Sequence, residues 1–265
     1  MTIPVFVPAG PPGPVRARIC IMGEPGSGKT RLAATFPNPF FLDLENGAGT
    51  ARPGGVPRLV IPTDAAALKN VRTAVQTLAR ATLTNGQLVH KPAGTETPLT
   101  IGTLVLDSID ALQQPVKMFE VLKGRSKMER EDWDTLLNLL QPLVLEWNAL
   151  PIHVVVIAHT KRTEGEKGRP GTMDFGVQGA LKTQMPRWFD YILHITTGPD
   201  GSRALVVQPT IHKGYRFLAK DRHNQLAPVS KGGLIELPGK NGYPDDLIAQ
   251  TVCGTSAAEA GGSGK

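Results

Sequence analysis

The apolar positions of this chain gather into short continuous runs, separated by longer stretches in which apolar and polar residues recur at helical spacing. Residues 18–23 (RICIMG), 40–44 (FFLDL), 103–106 (TLVL) and 153–158 (HVVVIA) are the four main runs. A run that is apolar throughout, rather than at alternate positions, fits a strand covered on both faces. Between the runs the pattern predicts a helix after Gly28, another over 65–83 capped by Thr63 or Asp64, and another near 109–122. A long helix follows, with Trp133, Leu137, Leu140, Val144 and Trp147 on one face, and Pro142 inside it predicts a kink or a break. Asn85-Gly86 signals a hairpin. Past a helix over 180–189 come β-like runs at 191–195, 204–208, 215–219 and 234–237. Strands alternating with helices predict an α/β fold, a doubly wound and mostly parallel sheet, and the later short runs predict an antiparallel β extension at one edge.

The two ends read differently from the middle. Residues 1–14 carry five prolines, which remove donors and forbid regular pairing, so they are expected to form an extended lead-in. Residues 15–228 form the expected core, 229–254 a C-terminal β/loop extension of it, and 255–265 a small, polar tail expected to be disordered. No apolar run is long enough to span a bilayer, and the N-terminus lacks the layout of a signal peptide. A cytoplasmic protein with no membrane partner is expected. Cys20 and Cys253 lie too far apart in the chain to suggest a disulfide framework, and no metal-ligand spacing appears.

The net charge of +6 matters mainly through its placement. Lys117, Lys123, Arg125, Lys127 and Arg130 fall in one stretch, and Lys161, Arg162, Lys167 and Arg169 in another that glycines interrupt. Charge alone leaves two readings open, solvated loops or contacts to a polyanion. The second stretch reads as a mobile loop.

One segment carries specific chemistry. Gly23-Glu24-Pro25-Gly26-Ser27-Gly28-Lys29-Thr30 matches the phosphate-binding P-loop in full, between an apolar strand and a helix that continues through Arg31. Glycines let the backbone wrap phosphates so that amide N–H groups and the helix N-terminus face the negative charge. Lys29 then reaches the β- and γ-phosphates of ATP, and the Thr30 hydroxyl takes one position on Mg2+. Asp107 closes the third apolar strand, taken to lie beside the P-loop strand, where a carboxylate holds magnesium through water. Asp110 reads as an exposed first-turn acid. Glu45 ends the second strand, placed to orient or deprotonate an attacking water. Asp43 competes for that role, and alternation cannot separate the two because both point away from the face of Leu44. His159, at the end of the fourth strand, is a candidate γ-phosphate sensor or else ordinary hydrogen-bonded structure. The terminal Gly262-Ser263-Gly264-Lys265 imitates part of the P-loop without a strand before it.

The segments GEPGSGKTRLAATFP, FFLDLENG, TLVLDSID, WDTLLNLL, HVVVIAHTKR and FLAKDR, in that order over residues 18–224, resemble the RecA-like P-loop ATPases. The phage and prophage members, which include single-strand annealing proteins, are the most similar. The resemblance implies that Glu45 is the catalytic glutamate, Asp107 the Walker B aspartate and His159 the sensor, at a position where RecA itself carries glutamine. It places the first DNA-binding loop at 123–130 and the second at 161–178. It likens Lys220 and Arg222 to the Lys-x-Arg pair with which replicative helicases complete a neighbour's site. A homo-oligomer follows, ring or helical filament, with ATP at subunit boundaries, single-stranded DNA as ligand and a single-strand DNA-binding protein as a further partner. The implied function is ATP-driven annealing or homologous recombination in a phage's bacterial host. A helicase-like or loader ATPase is the alternative, and a P-loop kinase for a small metabolite a more distant one. Neither the N-terminal polymerisation domain nor the C-terminal DNA-gathering domain of RecA is expected here.

Overall fold

A computed structural model describes residues 16–166, 168–238 and 246–254. Fifteen strands and six α-helices are assigned among them. In chain order they begin with β1 (Arg18–Gly23), α1 (Lys29–Ala33), β2 (Pro39–Asp43), β3 (Arg58–Val60) and α2 (Ala67–Ala79). A small antiparallel sheet follows, of β4 (Thr82–Thr84), β5 (Gln87–His90) and β6 (Leu99–Ile101). Then come β7 (Thr103–Asp107), α3 (Ile109–Pro115), α4 (Arg130–Asn148), β8 (His153–Thr163), β9 (Gly171–Phe175) and α5 (Leu181–Gln184). The remainder is β10 (Tyr191–Thr197), β11 (Arg203–Val206), β12 (Thr210–His212), β13 (Tyr215–Phe217), β14 (Lys220–Asp221), β15 (Leu234–Leu237) and α6 (Leu247–Cys253).

The main sheet runs β3-β2-β7-β8-β1-β10-β11-β15. Its first six strands are parallel, and β11 and β15 extend it antiparallel, as the alternating pattern predicts. The continuous apolar runs supply both faces. Cys20, Met22, Leu104, Leu106, Val154 and Val156 pack toward α2, α3 and α4, while Ile19, Ile21, Val105, Val155 and Ile157 pack toward α1 and α6. Parallel strands wound this way bring their C-terminal ends to one edge, where a crevice forms.

The strand order corrects one expectation. β7 does not lie beside β1, because β8 is inserted between them and pairs with both. A P-loop strand and an acidic strand can share a site without being neighbours, since α1 projects across the tips. Several elements also differ from the sequence pattern. α4 runs through Pro142 without a break; the residue faces solvent, and burial of Leu136, Leu140, Leu143, Val144 and Trp147 holds the helix on both sides of the lost donor. The buried face is therefore turned toward Leu136 and Leu143, leaving Trp133 and Leu137 half-buried. The helix expected over 109–122 changes winding at Val116 to a wider π-helical turn that ends at Lys123, whose φ is 48°. The helix over 180–189 shrinks to α5 and one 3-10 turn containing Pro186.

Asn85 and Gly86, at φ 50° and 76°, make the hairpin turn joining β4 and β5. The segment after His159 is not a mobile loop over its length. β8 continues to Thr163 and β9 pairs back antiparallel, Arg162 opposite Met173. β13 adds to β9 in parallel and β12 to β13 in antiparallel fashion. The lead-in 1–14, the tail 255–265 with its Gly262-Ser263-Gly264-Lys265, and Lys167 lie outside the described residues.

Candidate nucleotide site

The first turn of α1 follows directly on β1, and the backbone between them turns sharply at Gly26 and Gly28, with φ 75° and 98°. A Cβ at Gly28 would also sit 2.4 Å from a guanidinium nitrogen of Arg203, which would have to shift. Lys29 is nearly buried. Its ammonium donates to the carbonyls of Gly23 (3.1 Å) and Glu24 (2.9 Å) and lies 3.5 Å from His159 Nδ1. Burial lowers its pKa, against the pull of Glu45, Asp107 and Asp110. Ser27 Oγ is buried and makes no hydrogen bond among the described residues.

Thr30 Oγ1 donates to Asp107 Oδ2 at 2.8 Å, so the hydroxyl and the Walker-type carboxylate meet across the inserted strand. Burial raises the Asp107 carboxyl to about 6, the Thr30 hydrogen bond opposing it. Among the described residues no three His, Cys, Asp or Glu side chains cluster as a metal cage. A hydroxyl and one carboxylate beside a phosphate loop nevertheless fit magnesium, which binds through one or two protein oxygens and the phosphates themselves.

The competing carboxylates separate. Asp43 is fully buried and accepts the N–H groups of Gly47 (3.2 Å) and Ala48 (3.1 Å), with Arg58 at 3.6 Å. It is spent on its own loop. Glu45, one residue past Leu44, faces the cleft: Oε1 lies 2.9 Å from His159 Nε2 and accepts the Ser108 hydroxyl. The His159 hydrogen bond holds the Glu45 carboxyl below its ordinary range, and Glu45 in turn raises the imidazole. Gly28, Lys29, Thr30, Glu45, Asp107 and His159 thus line one cleft of about 410 Å³, together with Pro25, Gly26 and Arg31.

Three contributors escaped the sequence pattern. Asp110 is not an exposed acid; its carboxylate turns inward and accepts the His159 backbone N–H at 2.7 Å, and burial raises its pKa. Ser108 caps α3, accepting from Ala111 N, while donating to Glu45. Arg203, 5% exposed, opens β11 and crosses to the P-loop, with Nη1 3.4 Å from Ser27 O and Nε and Nη2 on Pro238 O. A charged residue leading the apolar run Ala204–Val207 was the available signal for it.

The remaining candidates lie apart from the cleft. Lys123, Arg125, Lys127 and Arg130 are exposed between the π-helical turn and α4, and Arg125 pairs with Asp132 at 2.6 Å. Lys161 and Arg162 sit on the end of β8 and Arg169 in the turn beyond; Arg162 pairs with Glu164 and stacks over the Tyr215 ring at 4.3 Å. Lys220 and Arg222 lie at the opposite end of the sheet. β14 pairs with Tyr191 and Ile192 at the start of β10, the level of Ile19 and Cys20, whereas the P-loop leaves the sheet at Gly23. Lys220 donates to Pro186 O and Phe189 O, and Arg222 pairs with Asp190 at 2.7 Å.

A P-loop opening a helix after a buried parallel strand, with an acid on a strand once removed, defines a P-loop nucleoside triphosphatase fold. A family model described as an AAA domain (AAA_24) matches residues 16–223. The chain belongs to that family of P-loop ATPases. No curated protein matches it at a significant level. No helix among the described residues is long and apolar enough to cross a membrane.

Proposed function

We propose that this protein binds and hydrolyses ATP with magnesium, and that it couples hydrolysis to single-stranded DNA in annealing or recombination. The observation that carries the catalytic part is the convergence of Lys29, Thr30, Asp107, Glu45 and His159 in one cleft at the C-terminal ends of parallel strands. Lys29 exchanges the carbonyls of Gly23 and Glu24 for phosphate oxygens. The P-loop amides and the Ser27 hydroxyl complete the cradle. Thr30 and Asp107 hold magnesium, which neutralises charge on the phosphates when bound. Glu45 takes the proton of the attacking water, for which His159 and Ser108 hold its carboxylate in place.

Support for the DNA part is continuity. His159 belongs to the same strand as Lys161 and Arg162, so a polyanion on the β8–β9 hairpin acts on a strand whose His159 side chain meets Lys29 and Glu45. The β12–β13 pair brings Lys213, Tyr215 and Arg216 beside that hairpin. A metabolite kinase would close a loop over the phosphates, and a paired strand at 161–163 favours DNA over such a lid. Lys220 and Arg222, too far along the sheet to serve their own P-loop, fit a neighbour's site in a ring or filament. Steady-state hydrolysis by the wild type, with and without single-stranded DNA, tests the reading: DNA-independent turnover removes the DNA part, and no turnover removes both.

A further inference from the structure

At His159 strand β8 changes partners. Its ladder with β7 ends at Val156, opposite Leu106, and its ladder with β9 begins at Thr160, opposite Phe175. Between the two, no strand among the described residues accepts the His159 N–H on the β7 side. Asp110 Oδ2 takes that N–H at 2.7 Å, and the His159 carbonyl receives Gly176 N at 2.8 Å. The three groups are packed so closely that a Cβ on Gly176 would lie 2.8 Å from Asp110 Oδ1 and 3.1 Å from the His159 carbonyl oxygen. The same helical turn reaches the other half of the pair, because Ser108, two residues before Asp110, donates to Glu45. One turn of α3 therefore grips Glu45 by its side chain and His159 by its backbone.

The seam continues down the helix. Gln113, three residues on and buried, uses both ends of its amide on the Gln178 backbone, at 3.1 Å and 2.9 Å. Residues three apart on a helix share a face. The strand returning from the hairpin is thus fastened to the same face of α3 that sets His159. Burying a carboxylate costs free energy unless its hydrogen bonds repay it. A carboxylate placed here, rather than an apolar first-turn residue, marks a demand for an acceptor at the strand switch.

We propose that Asp110 is a positioning residue for ATP hydrolysis: by accepting the His159 N–H at the strand switch it fixes the imidazole against Glu45 and Lys29. This rests on the hydrolytic reading of the cleft. Its essential feature is the acceptor oxygen, not the charge, so asparagine serves and alanine does not.

The test compares the full-length wild type, Asp110→Ala and Asp110→Asn by kcat for ATP, equilibrium affinity for a fluorescent ATP analogue, and hydrogen exchange at the His159 amide. Asp110→Ala is expected to lower kcat roughly tenfold, about what one lost hydrogen bond supplies, with affinity within about twofold. Its His159 amide should exchange faster. Asp110→Asn should restore both kcat and protection. An unchanged kcat in Asp110→Ala overturns the proposal, as does an Asp110→Asn protein as slow as the alanine variant or a loss of affinity parallel to the loss of rate. If Asp110→Ala fails to fold, Asp110→Asn decides by itself, since the proposal requires it to be near wild type in rate and in amide protection. If the wild type hydrolyses no ATP, the hydrolytic reading has failed, and the exchange measurement still reports separately on the clamp.

Discussion

The two ends of the parallel sheet use the same kinds of side chain to opposite effect. At the lower end Arg18 donates to the carbonyls of Asn148, Leu150 and Ile152, Lys220 to those of Pro186 and Phe189, and Arg222 pairs with Asp190. These contacts tie loops to strand starts. At the upper end Lys29 is shared among two carbonyls and an imidazole, Glu45 between a hydroxyl and an imidazole, and Ser27 Oγ has no partner among the described residues. The lower-end cations bridge segments far apart in sequence and so hold the fold together. Lys29 holds carbonyls of its own loop and lines an open cleft, so it can exchange them for a ligand at little cost, because the hydrogen bonds lost and gained are alike. The upper end has the character of a site and the lower end that of a brace.

The sharpest way to break this contrast is Lys29→Ala, expected to bring ATP turnover to background with the fold intact by circular dichroism; undiminished turnover would remove the P-loop from the mechanism. Arg222 tests whether the lower end is only a brace. If it also serves a neighbour's phosphates, Arg222→Ala should bind ATP normally and hydrolyse it about 10³ to 10⁵ times more slowly. Mixing that protein with Lys29→Ala should then recover activity, since some interfaces would join an intact P-loop to an intact finger. No recovery in assembled mixtures would confine Arg222 to its pairing with Asp190.

Glu45→Gln should lower kcat about 10² to 10⁴-fold while nucleotide affinity stays. Asp43→Asn should instead cost stability, about 1–3 kcal/mol for disturbing a buried acceptor of two backbone N–H groups, seen as a shifted denaturation midpoint. The reverse pattern would exchange their roles. Neutralising Lys161 and Arg162 together should flatten the dependence of single-strand affinity on salt by about 0.7 per charge removed; an unchanged slope would move the DNA surface elsewhere.

The smallest effect is on the pH dependence of the nucleotide-free protein. His159 has a raised pKa, so its contribution is full below its unfolded value near 6.5 and fades as pH rises through the folded one. Glu45 has a lowered pKa, so its contribution is full above about 4.5 and fades as pH falls through the folded value. The stability difference between wild type and Glu45→Gln should therefore be largest from about pH 4.5 to 6.5 and shrink outside it. A pH-independent difference would mean the pair is not formed in solution.

Much of the upper end was legible because its signals are local. A P-loop needs its glycines and lysine at fixed spacing, a buried strand is apolar throughout, and Asn85-Gly86 sets its own turn. What stayed hidden depends on partners distant in sequence. Insertion of β8 between β1 and β7 is a matter of pairing, which neither strand's composition encodes. Asp43 and Glu45 share a parity along the chain; the strand tip and the resemblance favour Glu45, and the loop folding back over Asp43 gives the physical reason Asp43 is occupied. Asp110 reads as a surface acid until β8 is known to lose β7 as a partner at its level. The glycines after His159 suggested a loop, yet Thr160–Thr163 and Gly171–Phe175 form a ladder that places charge on exposed strand positions.

The central claim is that the upper cleft hydrolyses ATP and answers to single-stranded DNA on the strand that carries His159. It is tested most directly by magnesium-dependent ATP hydrolysis of the full chain across a titration of single-stranded DNA, with Lys29→Ala as blank and the Lys161/Arg162 double neutralisation in parallel. The account predicts that DNA raises the wild-type rate to a plateau, that the doubly neutralised protein needs more DNA to reach it, and that the blank stays flat. Turnover in the wild type that is the same at every DNA concentration would contradict it.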